Sequence, residues 1–452
     1  MNHTEASAVH IISKSTVLPS SSINQTSEST AQRPRVVHLT PWDLRLLSIE
    51  YIQKGVLLPQ TPSASTNSIL PRLLSSLSLA LDHFFPLAGR LATKEHQDVS
   101  PPSLSIFIDC NDQGVELIHA AAAKVTVSDI LSPLYVPTVV RSFFPLAGAV
   151  CHDGHLLPLL AVQVTELADG VFVGCSANHA VVDGSSFWHF LNSWSEISRT
   201  GSSQISQPPV LDRWFLDPFS PPIFLPFGSH QEFIRRYITP RIDEAIIHFS
   251  KQSIQKLKAK ANLELKTNQV SSLQALLAHV WRWVVRARKL KHDQETSYSM
   301  AIGDRWRIEP PLPANYFGNS SFRATAKLLA GEVVDRGLGW VAWQLNRAVA
   351  AHTDAVVKSW LESWQQNPIF SYFDCLETRN LATGSSPRFD VYGNDFGWGR
   401  PLAVRSGIAN KMDGNVMVYE GNVDGSMDLE ISLSPQALAS LLEDKEFMEP
   451  SI

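Results

Sequence analysis

The stretch Val171–Phe190, VFVGCSANHAVVDGSSFWHF, holds a histidine and a carboxylate, His179 and Asp183, at H-x-x-x-D spacing, with Gly184 directly after. An unperturbed imidazole has a pKa of about 6.5, so a neutral His179 could take a proton near neutral pH. That makes it the candidate general base. The residues around it say how it would be positioned. Val171–Cys175 is a short apolar, β-branched run, which reads as a buried strand. From Ser185 the apolar spacing becomes helical, through Phe187, Phe190, Leu191 and Trp194. His179 is therefore expected at a strand end just before a helix, where α/β scaffolds present working side chains. The chain has 15 histidines, and H-x-x-x-D matches arise by chance, so the weight of this one depends on the rest of the sequence.

The chain is long enough for about two or three domains. Hydrophobic content of 44% and charged content of 18% are those of an ordinary globular protein. The 38 basic and 43 acidic residues give a net charge of −5. No basic surplus points to nucleic acid or an anionic membrane as partner, and no apolar run reaches membrane-spanning length. The segment Ala8–Val17 is broken by His10, Ser13 and Lys14 and does not read as a signal-peptide core. Cys110, Cys151, Cys175 and Cys375 are scattered, without zinc-type or redox-type pairing. These features predict a reduced, cytoplasmic protein with no metal.

Taken in order, Val9–Leu18 reads as a strand, and Pro19–Pro34, rich in Ser, Thr, Asn and Gln, as a loop. HLTPWDLRLL, His38–Leu47, looks like a helix start, with Thr40 as N-cap and Pro41 in the first turn. Leu73, Leu74, Leu77, Leu81 and Phe84 predict an amphipathic helix over Pro71–Phe85 that Pro86 and Gly89 end. Its ending, FFPLAG, recurs at Phe143–Gly148, an echo that chance and local packing explain. Leu104–Asp109 and Gly114–His119 read as a hairpin, and Leu156–Glu166 as a strand. Prolines at 208, 209, 218, 221, 222 and 226 mark Ser202–Gly228 as an interdomain crossover, because that density blocks helix interiors and central strands. Beyond it come a strand at Arg241–Phe249, a short basic helix at Ser250–Ala261 and a long helix begun by Ser271 or Ser272. A strand at Tyr298–Asp304, a second long helix at Leu338–Gln365, and strands at Asn415–Glu420 and Met427–Ser432 follow. The order fits two α/β domains, 1–205 and 231–452, joined by a crossover at 206–230.

HAVVDG (His179–Gly184) and DFGWG (Asp395–Gly399) resemble, in order and separation, the two signatures of the plant BAHD acyl-CoA-dependent acyltransferases. FFPLAGRL (Phe84–Leu91) resembles an early motif of that family, and RWRIEPPLPANYFGNS (Arg305–Ser320) its central segment. HLTPWDL and SSPRFDVYGNDFGWGRP look closest to its cuticle- and defence-associated branch. The resemblance covers Val9 to about Phe447. It implies a fold like chloramphenicol acetyltransferase: two domains, each a mixed sheet with flanking helices, and a solvent channel between them. It implies an acyl-CoA donor and a small-molecule acceptor as partners, acyl-CoA as co-substrate with no permanent cofactor, and action as a monomer.

By the same resemblance, His179 would deprotonate the acceptor, and Asp183 would turn from the channel to pair with Arg305. Asp395, Gly397 and Trp398 would build a structural turn. Ser271, Ser272 and Lys258 would face CoA, although the serines also read as helix caps and the lysine as a solvated helix face. Arg388 would bind a carboxylate on the acceptor, in a pocket shared with Ser48 and Tyr51, where Glu50 would repel an anion. O-acylation of a hydroxyl leads. N-acylation of an amine or polyamine, a lyase-type reaction and a binding-only role stay open, the last two disfavoured by intact signatures.

Overall fold

A computed structural model describes residues 8–23, 33–60, 66–98, 102–373 and 377–449. Most of the loop expected after Pro19, and Cys375, lie outside the described residues. In the first half the strands are β1 (His10–Val17), β2 (Val36–His38), β3 (Ile52–Pro59), β4 (Arg90–His96), β5 (Ser103–Asp109), β6 (Val115–Ala122), β7 (Leu160–Leu167) and β8 (Gly170–Ala177). In the second they are β9 (Asp243–Phe249), β10 (Glu295–Gly303), β11 (Ser321–Leu329), β12 (Leu381–Thr383), β13 (Ala403–Ser406), β14 (Asn415–Glu420) and β15 (Met427–Leu433).

These strands form two six-stranded mixed sheets, ordered β1-β6-β7-β8-β3-β13 and β11-β10-β12-β14-β15-β9, and a three-stranded sheet, β2-β5-β4. β8 is buried along its whole length, as its unbroken apolar run requires, and lies between β7 and β3, antiparallel to both. The helix Gly184–Thr200 packs the apolar face of Phe187, Phe190, Leu191 and Trp194 into the first core. The helix Ser272–Ala287 does the same in the second with Leu276, Val280 and Trp281.

Three expectations fail, each for a physical reason. The supposed hairpin does not form: β5 pairs with β2 and β4, whereas β6 pairs with β1 and β7. Gly114, at φ +85°, lets the chain leave one sheet for the other. The long helix at Leu338–Gln365 is two, Leu338–Ala350 and Asp354–Gln366. The break turns His352 inward, onto the Asp304 carboxylate at 2.7 Å. Finally, the halves are not separate along the chain, since β13 pairs antiparallel with β3 and closes the first sheet from the C-terminal side.

The halves meet at a buried seam. The Lys411 ammonium lies between the Glu244 and Glu430 carboxylates, and Glu430 also accepts from the Ser406 hydroxyl. Beside it, Lys54 donates to the Tyr419 hydroxyl at 2.7 Å, and burial pushes the lysine pKa down to about 8. An apolar patch of Trp42, Ile308, Leu312, Tyr316, Val357 and Leu361 joins the halves near the Arg305 segment.

Candidate active site

β8 ends at Ala177, and residues 178–182 make a tight turn before the helix Gly184–Thr200. Asn178 holds that turn. Its Nδ2 donates to the Cys151 carbonyl at 2.7 Å, and its Oδ1 accepts from the Ala180 amide at 3.0 Å. His179 is half-buried. Its Nδ1 lies 3.0 Å from the Val182 carbonyl. A carbonyl only accepts, so Nδ1 carries the proton and Nε2 keeps its lone pair. Burial holds the imidazole pKa below its ordinary 6.5, so the ring is neutral at physiological pH.

Asp183 turns away from His179's ring and into protein. Its Oδ1 caps the following helix by accepting from the Ser186 amide at 3.0 Å. Arg305 meets it with two parallel hydrogen bonds, Nη1 to Oδ2 at 2.6 Å and Nη2 to Oδ1 at 2.9 Å. Burial alone would raise the carboxyl pKa; the guanidinium and the Ser186 and Ser320 amides outweigh it and hold it low. Arg305 is further enclosed by the Ser186 and Ser320 hydroxyls and the Tyr316 and Gly318 carbonyls, at 3.0–3.3 Å. Gly184 is small by necessity: a Cβ there would come within 2.9 Å of the Phe389 ring.

DFGWG is a turn. Asp395 Oδ1 accepts from the Gly397 and Gly399 amides at 2.7 and 2.9 Å. Both glycines have positive φ, +100° and +119°. Phe396 meets Trp194 edge-on, and the Arg72 guanidinium stands 5.0 Å from the Trp398 ring. The motif, though late in sequence, therefore braces the helix that follows His179.

Residues 7–448 match the family described as the Transferase family. The chain belongs to the plant BAHD acyltransferases. It is 40% identical over 421 residues to an uncharacterised acetyltransferase of Arabidopsis thaliana, covering 91% of this chain and 94% of that protein. It is 35% identical over 435 residues to BAHD acyltransferase DCR of the same plant, covering 91% and 88%. Vinorine synthase shares the fold, with TM-score 0.74 at 21% identity and 98% of each chain covered. So does TRI101 of F. sporotrichioides complexed with coenzyme A and T-2, with TM-score 0.70, 15% identity, and 92% and 98% covered. As a BAHD protein the chain is an acyl-CoA-dependent acyltransferase.

The residues expected at the CoA and acceptor ends are spread more widely. Ser271 is the N-cap of its helix, in a reciprocal capping box with Gln274, and Ser272 is the first helical residue. Lys258 is exposed on the helix Lys251–Leu265. Arg388 is exposed, and its guanidinium has no ion-pair partner among the described residues; the adjoining Phe389 covers Gly184. The expectation for Tyr51 needs correction. Its side chain is fully buried, with the hydroxyl 3.2 Å from the Pro158 carbonyl, so it belongs to the core and not to a pocket wall. Ser48 and Glu50 border a small cavity with Tyr237 and Asn410. There Ser48 exchanges hydrogen bonds with the Arg235 backbone. Glu50 Oε2 accepts from the Asn410 amide at 2.8 Å, and burial raises the carboxyl pKa.

Sequence reasoning missed a second brace. Asp43 forms a capping box with Thr40, and its other oxygen accepts from the Asn319 amide and side chain at 3.1 and 2.8 Å. Asn319 Nδ2 also reaches the His179 carbonyl at 2.8 Å. Arg213 donates to the Val181 and Phe317 carbonyls at 3.0 and 2.8 Å. Trp42 and His352 both bond Asp304, the residue before Arg305. The T-x-x-D spacing in HLTPWDL was the available signal for Asp43; Arg213, inside the proline-rich crossover, had none.

Proposed function

We propose that this BAHD protein transfers an acyl group from acyl-CoA to a hydroxyl of a plant small molecule, with His179 as general base in a ternary complex. The observation that carries the reading is the Nδ1–Val182 bond, which leaves Nε2 able to accept a proton. His179 Nε2 takes the proton of the acceptor hydroxyl as its oxygen attacks the thioester carbonyl carbon. The tetrahedral intermediate then collapses: the C–S bond breaks, and the thiolate leaves with the proton returned from the imidazolium. Ester and free CoA result, with no covalent enzyme intermediate. General-base action of this kind supplies about 10²–10⁴-fold in rate. Asp183 and Arg305 act in this reading as positioning residues, holding the far end of the His179 turn. Support for a CoA site comes from the coenzyme A complex of a protein with the same fold.

The test is free-thiol release from acetyl-, benzoyl-, hydroxycinnamoyl- and long-chain acyl-CoA, with hydroxyl or amine acceptors and with none, products being read by mass spectrometry. Ester formation is expected, and His179→Ala should lose about 10²-fold or more in turnover with an unchanged unfolding midpoint. Transfer to amines alone, or near-normal turnover by the variant, would refute the proposal.

A further inference from the structure

Three imidazoles converge on the face of the first half that backs the catalytic turn. His152 and His155 come from the 3-10 turn Cys151–His155, and His230 from the short turn His230–Glu232 at the end of the crossover. Their ring centroids are 4.6, 4.6 and 5.4 Å apart. Each offers a ring nitrogen, and these nitrogens all lie within 4.8 Å of one another. All three residues are half-buried, open enough for an ion to reach.

We propose that His152, His155 and His230 bind a divalent cation of the zinc class. Three neutral imidazoles are a borderline donor set, which favours Zn²⁺, Cu²⁺ or Ni²⁺ over Mg²⁺ or Ca²⁺. The hydrogen bonds prepare the set. His155 Nδ1–H donates to the His152 carbonyl at 2.7 Å, which leaves Nε2 as its donor atom and orients the ring as backbone carbonyls orient metal-bound histidines. His155 Nε2 and His230 Nε2 both approach the Thr93 hydroxyl, at 2.8 and 3.0 Å. His155, with its proton on Nδ1, accepts from the Thr93 hydroxyl at Nε2, and the same oxygen stands within hydrogen-bond distance of His230 Nε2, so Thr93 gathers both rings at one point. Most telling is His152 Nε2, which is buried and has no hydrogen-bond partner. A bare buried nitrogen is costly, and coordination would satisfy it.

The surroundings allow the added charge. Asp153 and Glu95 contribute negative potential at the cluster, partly offset by Arg236, which grips Asp153 at 2.6 Å. Burial and mutual proximity also keep the rings unprotonated, His152 down to about 4, so at neutral pH no proton must be displaced first. With Thr93 Oγ1 or a water as the fourth ligand, the site would be tetrahedral. It would tie the crossover to the turn whose Cys151 carbonyl holds Asn178, beside His179. The ion would stand behind the catalytic turn and take no part in acyl transfer.

The experiment titrates tag-free, chelator-treated protein with Zn²⁺ by calorimetry and with Co²⁺ by visible absorption. One ion per chain is expected, with the intense d–d bands of tetrahedral Co²⁺ and a rise in unfolding temperature on loading. His230→Gln and His152→Gln should each weaken Zn²⁺ binding at least tenfold. Both should keep metal-free acyl transfer within twofold of wild type, which checks that they fold. Sub-stoichiometric Zn²⁺ binding, or equal binding by the double variant, would overturn the proposal.

Discussion

Replacing Asp183 by alanine removes the counter-ion of a guanidinium that is 6% exposed. Arg305 would be left charged and buried, with four neutral acceptors around it: two serine hydroxyls and two carbonyls. Breaking a buried pair from one side costs about 3–5 kcal/mol. Loss of the cap on the helix Gly184–Thr200 adds about 1 kcal/mol. The sum of about 4–6 kcal/mol is an upper bound, since one oxygen, Oδ1, both caps the helix and takes a hydrogen bond from Arg305. Asp183→Asn separates the two terms, because an amide oxygen can keep the cap while the charge is lost. Paired with Arg305→Met in a double-mutant cycle, it should give a coupling energy of about 2–3 kcal/mol. The assay is urea unfolding, compared at a common slope, or unfolding rates if the transition is irreversible. Activity of each variant is measured alongside. His179→Ala, which breaks no ion pair, should keep the wild-type midpoint while losing turnover. Additivity within about 0.5 kcal/mol would show that the pair does not hold the site together, and the positioning role would fall.

Two further outcomes follow from side-chain environment. Arg388 is exposed beside the Phe389 ring that covers Gly184; if it reads an acceptor carboxylate, Arg388→Ala should raise KM about tenfold or more for an acidic acceptor, in keeping with a charge-assisted pair, and leave a neutral analogue alone, whereas equal effects on both discard the idea. Because burial lowers the His179 pKa below 6.5, the acid limb of kcat/KM should titrate below that value; the same shift makes the unfolded chain take up this proton first, so stability falls as pH drops from 6.5 towards the folded pKa, and an acid limb at or above 6.5 would contradict the neutral, buried imidazole.

What was legible in the sequence was legible because local periodicity and final environment agree. β8 is apolar throughout and buried throughout. The helix after Asp183 shows its apolar stripe and buries it. DFGWG needs positive φ at two positions, and glycine stands at both. Where a residue's environment is set by distant chain, the sequence misled. The family resemblance places Tyr51 in an acceptor pocket, but β3, a strand periodicity does not reveal, begins directly after it, is flanked by β8 and β13, and takes Tyr51 into the core. The cap reading of Ser271, by contrast, was legible because it is local: its hydroxyl accepts from the Gln274 amide three residues on.

The least legible features are those that make the site rigid. The His179 turn is tied at its carbonyl to Asn319, at Val181 to Arg213, and through Asp183 to Arg305. These three partners come from the central segment and the crossover, far along the chain from the turn they hold. Each tie is a polar group satisfied only by tertiary contact, so neither propensity nor pattern announces it; the Asp183–Arg305 pair is expected through the family resemblance, and it forms. The histidine cluster follows the same logic. H-x-x-H at His152 and His155 is visible in sequence, but the third imidazole arrives only when the proline-rich crossover folds back past β4. A segment too rich in proline to join either sheet is left to run across the surface, and there its side chains can meet those of the turn behind His179. The crossover thus supplies Arg213 to the Val181 carbonyl of the catalytic turn and His230 to the cluster with His152 and His155. Its composition denies it regular structure, and that is what frees it to reach the catalytic turn through Arg213.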